Sequence, residues 1–331
     1  MSPPTTSRPT TRYPIGMSMS RLVRRLVWLA AIAGAILFLA HDRGASNLEL
    51  ASMIGEPTPS HPWVLIEGRS WQIESTEVQD VASTDEAEGT RKNCAPGMVE
   101  VQGAMKLDGE RGSVEWLQDS TCIRWVNRDY PERCASFDRD KWLALSRELD
   151  TRMTHFCIDR FEYPNRKGAY PIIAVTWVEA KAHCGSQGKR LCTEDEWTFA
   201  CEGEEAVPYP TGYLRDEHAC VIDRPWKLFD AAHLGARDST LAKMEVDYLW
   251  QGEASGARPT CRSPSGVYDM TGNVDEWTSS VESEGFRSIL KGGYWGPVRA
   301  RCRASTRAHD EDFYFYQQGF RCCADAPSAE D

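Results

Sequence analysis

The sequence predicts an α+β domain, rich in loops and low in regular secondary structure. Three observations predict it. Only two stretches carry a strong helix-start signal. Elsewhere beyond residue 93, short extended pieces alternate with Gly, Pro and Asp turns. All twelve cysteines also lie in that part of the chain, the first being Cys94.

The first helix signal is Thr176-Trp177-Val178-Glu179, a capping box in which Thr176 is the N-cap and Glu179 reaches back to its backbone N–H. It predicts a helix to about Cys184, stopped at Gly185. The second box, Thr193-Glu194-Asp195-Glu196, opens a helix that places Trp197, Ala200 and Cys201 on one face. A turn ending in Gly188-Lys189-Arg190 joins the two.

Composition narrows the function classes. The 331 residues carry 49 Asp+Glu against 38 Lys+Arg, a formal charge of −11. Nucleic-acid binding needs a basic face to displace counterions, so no nucleic-acid partner is expected. A 41% hydrophobic content with 12 Trp fits a folded core rather than a wholly disordered chain.

The N-terminus sets the expected compartment. Residues 1–20, rich in Ser, Thr, Pro and Arg, read as a disordered cytoplasmic tail. Arg21, Arg24 and Arg25 precede an uncharged apolar run over 26–40. Fifteen helical residues span roughly 22 Å, and snorkelling arginines extend the reach. Residues 21–41 are therefore read as a signal anchor or transmembrane helix, the alternative being a cleaved signal peptide. Positive residues stay inside, so the bulk of the chain is expected outside the cytoplasm, periplasmic or on the cell surface, with disulfides as the fate of its cysteines.

Residues 42–93 read as a flexible acidic stalk. Pro57, Pro59 and Pro62 interrupt it. Glu74, Glu77, Asp80, Asp85, Glu86 and Glu88 follow with no base among them. Trp63-Val64-Leu65-Ile66 stands out as a lone strand or contact patch. One globular domain is expected over 94–323, with a polar tail over 324–331.

Several blocks then stand in order. Cys94-Ala95-Pro96-Gly97-Met98 comes first, followed by Phe156-Cys157-Ile158-Asp159-Arg160-Phe161-Glu162 and by Gly188-Lys189-Arg190-Leu191-Cys192. Next are Gly266-Val267-Tyr268-Asp269-Met270-Thr271-Gly272-Asn273-Val274-Asp275-Glu276-Trp277, Lys291-Gly292-Gly293-Tyr294-Trp295 and Gly319-Phe320-Arg321-Cys322. In this order they resemble the formylglycine-generating enzyme (sulfatase-modifying factor) family over nearly all of 94–323. The resemblance implies a loop-rich variant of the C-type-lectin-like fold with bound calcium. It also implies, for the true enzymes, copper and oxygen chemistry that converts a sulfatase cysteine to formylglycine.

That chemistry needs two thiolates, since soft sulfur selects Cu(I). In the family they follow the Gly-Gly-Ser block. Here Tyr294 replaces the serine, the first thiolate position falls near Pro297, and the second falls in a deletion. Copper is therefore not expected.

The resemblance further implies the bridges Cys184–Cys322 and Cys201–Cys302. The other eight cysteines are left unassigned, with Cys122 and Cys134 a plausible local pair. Cys322 and Cys323, adjacent in an extended piece, should point in opposite directions. For calcium it implies the loop of Thr271, Gly272, Asn273, Val274 and Glu276, with a weaker second site at Ile222 and Asp223. A hydrogen-bonded turn is the alternative for that loop. Arg299, Arg301, Arg303, Arg307 and Arg321 form a basic group near the expected cleft, there to hold an acidic ligand or to be consumed in ion pairs. Arg299, Arg301 and His309 are the weak catalytic candidates. Phe313-Tyr314-Phe315-Tyr316 reads as a half-buried strand or a stacking wall.

Two functions follow as expectations. The first is a binding or interaction module without copper chemistry, for an unknown protein or small-molecule ligand. The second is an oxidoreductase of the same superfamily working through an altered site.

Overall fold

A nine-residue strand, β3 (Met98–Lys106), sets the first sheet. Val99, Val101, Gly103 and Met105 are buried while the residues between them are not, the period-two signature of a strand with one core face. The computed structural model describes residues 59–76, 94–109, 112–282 and 285–327. The tail and signal anchor read over 1–41 lie outside the described residues. Among the described residues no helix is long and apolar enough to cross a membrane.

Two strands precede β3. The hairpin of β1 (Trp63–Ile66) and β2 (Ser70–Ile73) is closed antiparallel in register Trp63 to Ile73. This corrects the stalk boundary at residue 94: the compact unit begins at Pro59. Trp63, Trp71 and Ile73 are buried beside Trp250 and Trp295. Trp71 exchanges backbone hydrogen bonds with Ile173, at 3.0 and 2.8 Å. The Asp247 carboxylate accepts the Ser60 and His61 backbone N–H groups and the Trp63 indole N–H. These bonds hold its pKa down at about 2. Asp247→Ala is expected to cost about 1 kcal/mol, because it removes the acceptor shared by the exposed Ser60 N–H, the half-buried His61 N–H and the Trp63 indole. It should also open the chain to protease near residue 76, and an unchanged digestion pattern would remove this role.

The first sheet runs β3, β6 (Thr151–Asp159), β12 (Cys322–Asp325), β7 (Arg190–Leu191), antiparallel throughout. The ordered chain thus continues past residue 323, where the polar tail was expected to start. The second sheet runs β10 (Ser305–Thr306), β9 (Ser288–Lys291), β8 (Asp275–Ser279), β11 (Gln318–Phe320), with β11 parallel to β8. A separate hairpin of β4 (Cys122–Asn127) and β5 (Arg133–Phe137) carries the Cys122–Cys134 bridge.

Both capping boxes form. α3 (Trp177–Ser186) starts at Thr176, and α4 (Glu194–Glu202) starts at Thr193 and buries Trp197, Ala200 and Cys201. Three further helices of eight residues or more had no full box to announce them: α1 (Val114–Thr121), α2 (Arg139–Ser146) and α6 (Thr240–Leu249). A single turn, α5 (Ala231–Leu234), precedes the last.

Six disulfides take all twelve cysteines. Cys184–Cys322 and Cys201–Cys302 are the pairs the resemblance implied. The others are Cys94–Cys157, Cys192–Cys323, Cys220–Cys261 and the local Cys122–Cys134. Cys322 and Cys323 leave β12 on opposite sides, one to α3 and one to the residue after β7, as a strand's alternation requires. Val99 and Ile158 of the first sheet, Trp197 of α4, and Val267 and Met270 share one buried core.

Candidate functional site

Asp275 opens β8 and faces a cleft of about 740 Å³. The strand decides this. Neighbouring Glu276 turns the other way, into the core, where both its oxygens meet the Arg321 guanidinium at 2.6 Å and one accepts the Trp197 indole N–H. Alternation then sends Asp275 to the opposite face. Parallel pairing puts Gln318 of β11 beside it in register.

The Asp275 side chain accepts the Gly293 backbone N–H at 3.0 Å. Gly293 sits at φ +71°, and a Cβ there would meet Val298 at 2.9 Å, so the residue type permits this close turn. Burial pushes the Asp275 carboxyl up to about 7, and the Glu276 charge behind it adds to the rise.

Aromatic rings form the walls. Tyr294, Phe313 and Phe315 line the interior, and exposed Tyr130 and Trp226 face the mouth. Burial raises the Tyr294 hydroxyl well above its ordinary value and pushes Tyr316 up to about 12. His309 also lines the cleft, stacked on Phe313 at 3.8 Å, and burial lowers its pKa.

The arginine group divides. Arg299 and Arg307 line the cleft wall. Arg299 lies 3.7 Å from Glu115, and Arg307 pairs with Glu194 and Glu282. Arg303 is held by buried Glu202 at 2.6 Å. Arg301 corrects the catalytic expectation: it is buried on Glu115 and Gln118 and does not line the cleft. Most of the basic group is thus spent on internal ion pairs, and no cluster is left to grip an anion.

The residues expected to hold calcium also have partners within the protein. Glu276, its charged ligand, has both oxygens on Arg321. Asn273 sits in the left-handed region at φ 55°, accepts the Glu253 N–H through its side-chain oxygen and donates to Glu162. Thr271, Gly272 and Val274 are buried in the same turn, where Gly272 donates to Gly292. Asp223 is clamped by Arg215 at 2.6 Å and by Arg133 at 2.9 Å, and Ile222 is buried among apolar side chains. These residues fit a charge-paired, hydrogen-bonded turn and not the ligand set of a cation. Copper fares the same way. A Cu(I) site needs free thiolates, and every cysteine is in a disulfide.

Asp275, Gln317 and Gln318 were not singled out in the sequence. The signal was present for Asp275. If Glu276 faces the core, the residue before it faces the other way. Gln317 and Gln318 had none, because their position depends on the parallel pairing of β11 with β8.

Two four-stranded sheets, an irregular shell held by six disulfides and an aromatic cleft with a polar floor define the class: a disulfide-stapled α+β scaffold with a cleft free of thiols. The chain belongs to the sulfatase-modifying factor family, whose enzyme 1-like domain model matches residues 64–326. Among curated proteins it is similar to the inactive C-alpha-formylglycine-generating enzyme 2 of Bos taurus, 29% identical over 47% of this chain and 51% of the relative. The formylglycine-generating enzyme of Mus musculus is 28% identical over 49% and 46%. The chain spans about half the length of these relatives. Among solved structures it is similar to PvdO from Pseudomonas aeruginosa, at 16% identity and a TM-score of 0.43, covering 76% of this chain and 99% of that one.

Proposed function

We propose that this protein is a ligand-binding module built on the formylglycine-generating scaffold, without copper–thiolate chemistry. One observation carries the reading. All twelve cysteines are in disulfides, and the cleft presents Tyr294 and Pro297 where the family's serine and first thiolate stand. The name of the Bos taurus relative, an inactive enzyme, supports the same direction. The domain is carried outside the cytoplasm on the apolar segment over 21–41. Six disulfides fit that compartment, because thiols stay reduced in the cytosol.

The test is a thiol count and a copper titration on the full chain made in an oxidising compartment. No thiol reacting after denaturation, no copper retained through desalting and no oxygen uptake with cysteine peptides are expected. Two reactive thiols with one bound copper would sink the reading. Alkaline carbonate extraction tests the anchor, and release of the chain into the supernatant would remove it.

A second reading, an oxidoreductase acting through an altered site, rests on Asp275. Its carboxyl is poised near pH 7 beside the Tyr294 phenol and could exchange a proton with a bound substrate. Oxygen uptake without bound copper would favour it.

A further inference from the structure

The floor of the cleft holds two amide oxygens without donors beside a carboxylate. Gln318 is 1% exposed, lines the cleft, and its side-chain oxygen has no hydrogen-bond partner. Gln317 also lines the cleft, and its side-chain oxygen is buried and unpartnered. Asp275, in register with Gln318, accepts one backbone N–H from Gly293, and among the described residues no cation pairs with it. The two arginines on the wall do not serve this floor, since Glu115, Glu194 and Glu282 take them. Buried acceptors without donors cost free energy, so a site that sets two of them beside a carboxylate with one oxygen still open fits a ligand that brings donors. Around them stand the rings of Tyr294, Phe313 and Phe315, whose faces attract positive charge.

We propose that the cleft recognises a cationic amine, a primary ammonium or guanidinium on a short apolar stem. The cation sits against Asp275 and the side-chain oxygens of Gln317 and Gln318, and the stem lies along the aromatic wall. This rests on the binding-module reading and names its ligand class. Glycine at 293 matters here as well, because it leaves the Asp275 carboxylate turned to the cleft with one oxygen committed and the other open to a donor.

The test is calorimetric titration of the full chain with three probes of equal length: butylammonium, butan-1-ol and butyrate. A charge-assisted hydrogen bond discriminates by about ten- to a hundredfold. Butylammonium should therefore bind at least about tenfold more tightly than either of the others. Asp275→Asn keeps the oxygen that accepts from Gly293 and should lose that preference. Gln318→Met, close in volume but without the acceptor, should weaken butylammonium severalfold and leave butan-1-ol unchanged. Tighter binding of butyrate would overturn the proposal and hand the site to Arg299 and Arg307. Equal affinity for all three, or no heat with butylammonium at millimolar concentration, would also overturn it. Binding of butyrate or butan-1-ol leaves the module reading standing, and the thiol and copper measurements judge that reading separately.

Discussion

Arg321→Met is expected to lower stability by about 3–5 kcal/mol, the cost of leaving a buried carboxylate without its partner. Arg321 is 0% exposed and saturated. Nε and Nη2 each meet Glu276 at 2.6 Å, Nη2 also donates to the Tyr268 carbonyl, and Nη1 donates to the backbone oxygens of Asp159 and Arg160. It also faces more than one acid. Glu162 and Asp269 are buried nearby, and the Arg321 charge lowers both of their pKa values against the rise that burial causes. Removing the guanidinium strands the negative charge of Glu276 and releases three backbone acceptors at once. A net stability of about 5–15 kcal/mol would be cut by a large fraction. The double replacement Arg321→Met with Glu276→Gln should recover at least half of the loss, because it removes the stranded charge. Denaturant unfolding followed by tryptophan fluorescence reads this, since Trp197 donates to the same Glu276 oxygen. A double variant as unstable as the single one would show that the carbonyl contacts dominate and not the ion pair.

The scaffold was legible wherever a local rule carries a complete signal. Thr176 with Glu179, and Thr193 with Glu196, state both halves of a cap, and both helices begin there. Ser113, Asp138 and Ser239 also cap helices in the structure, each accepting from the backbone three residues on. Their third residues are Trp116, Lys141 and Ala242, which cannot reach back, so only half of the signal stood in the sequence. The hairpin over 63–73 was obscured for a different reason. Prolines before it and acids after it gave the surrounding segment a solvated texture. Its partners, Ile173 and Trp250, lie about a hundred residues or more away in the chain.

The site was harder to read, because ion pairing is a tertiary property. Arginines at 299, 301, 303, 307 and 321 look alike in sequence. Position 301 pairs with Glu115, 303 with Glu202 and 321 with Glu276, three acids from three different elements. The expected calcium ligands pose the same problem: a Glu in a Gly-Asn loop is a fair ligand until an arginine 45 residues away claims it. What the sequence could state was the missing pair of thiolates. The disulfides also remove Cys322 and Cys323 as substitutes.

Stability should peak near pH 5 and fall as the pH rises to 8, and the buried acids fix the sign. Burial pushes Asp269 and Asp275 up from 3.8 to about 7, and it raises Glu162 as well, with Asp269 and Glu276 nearby adding to that rise. Each folded value lies above its unfolded value. The stability these groups contribute is therefore fully present below about pH 4 and is lost as the pH rises through 7. A shift of about three pH units is worth about 4 kcal/mol per group as a ceiling. Asp247 works in the opposite direction: its folded value of about 2 lies below its unfolded one, so its contribution fails only as the pH drops below 4. Together they leave an optimum between the two windows. Lys291, lowered to about 8 by burial, begins to matter only above that pH. Asp269→Asn should flatten the decline between pH 5 and 8, with the Gly256 N–H still accepted by the remaining oxygen. Millimolar calcium should leave the curve unmoved, since Glu276 is already bound to Arg321. A curve that flattens with calcium would show a cation entering among Glu162, Asp269 and Glu276, and the charge-paired reading of that turn would have to be given up.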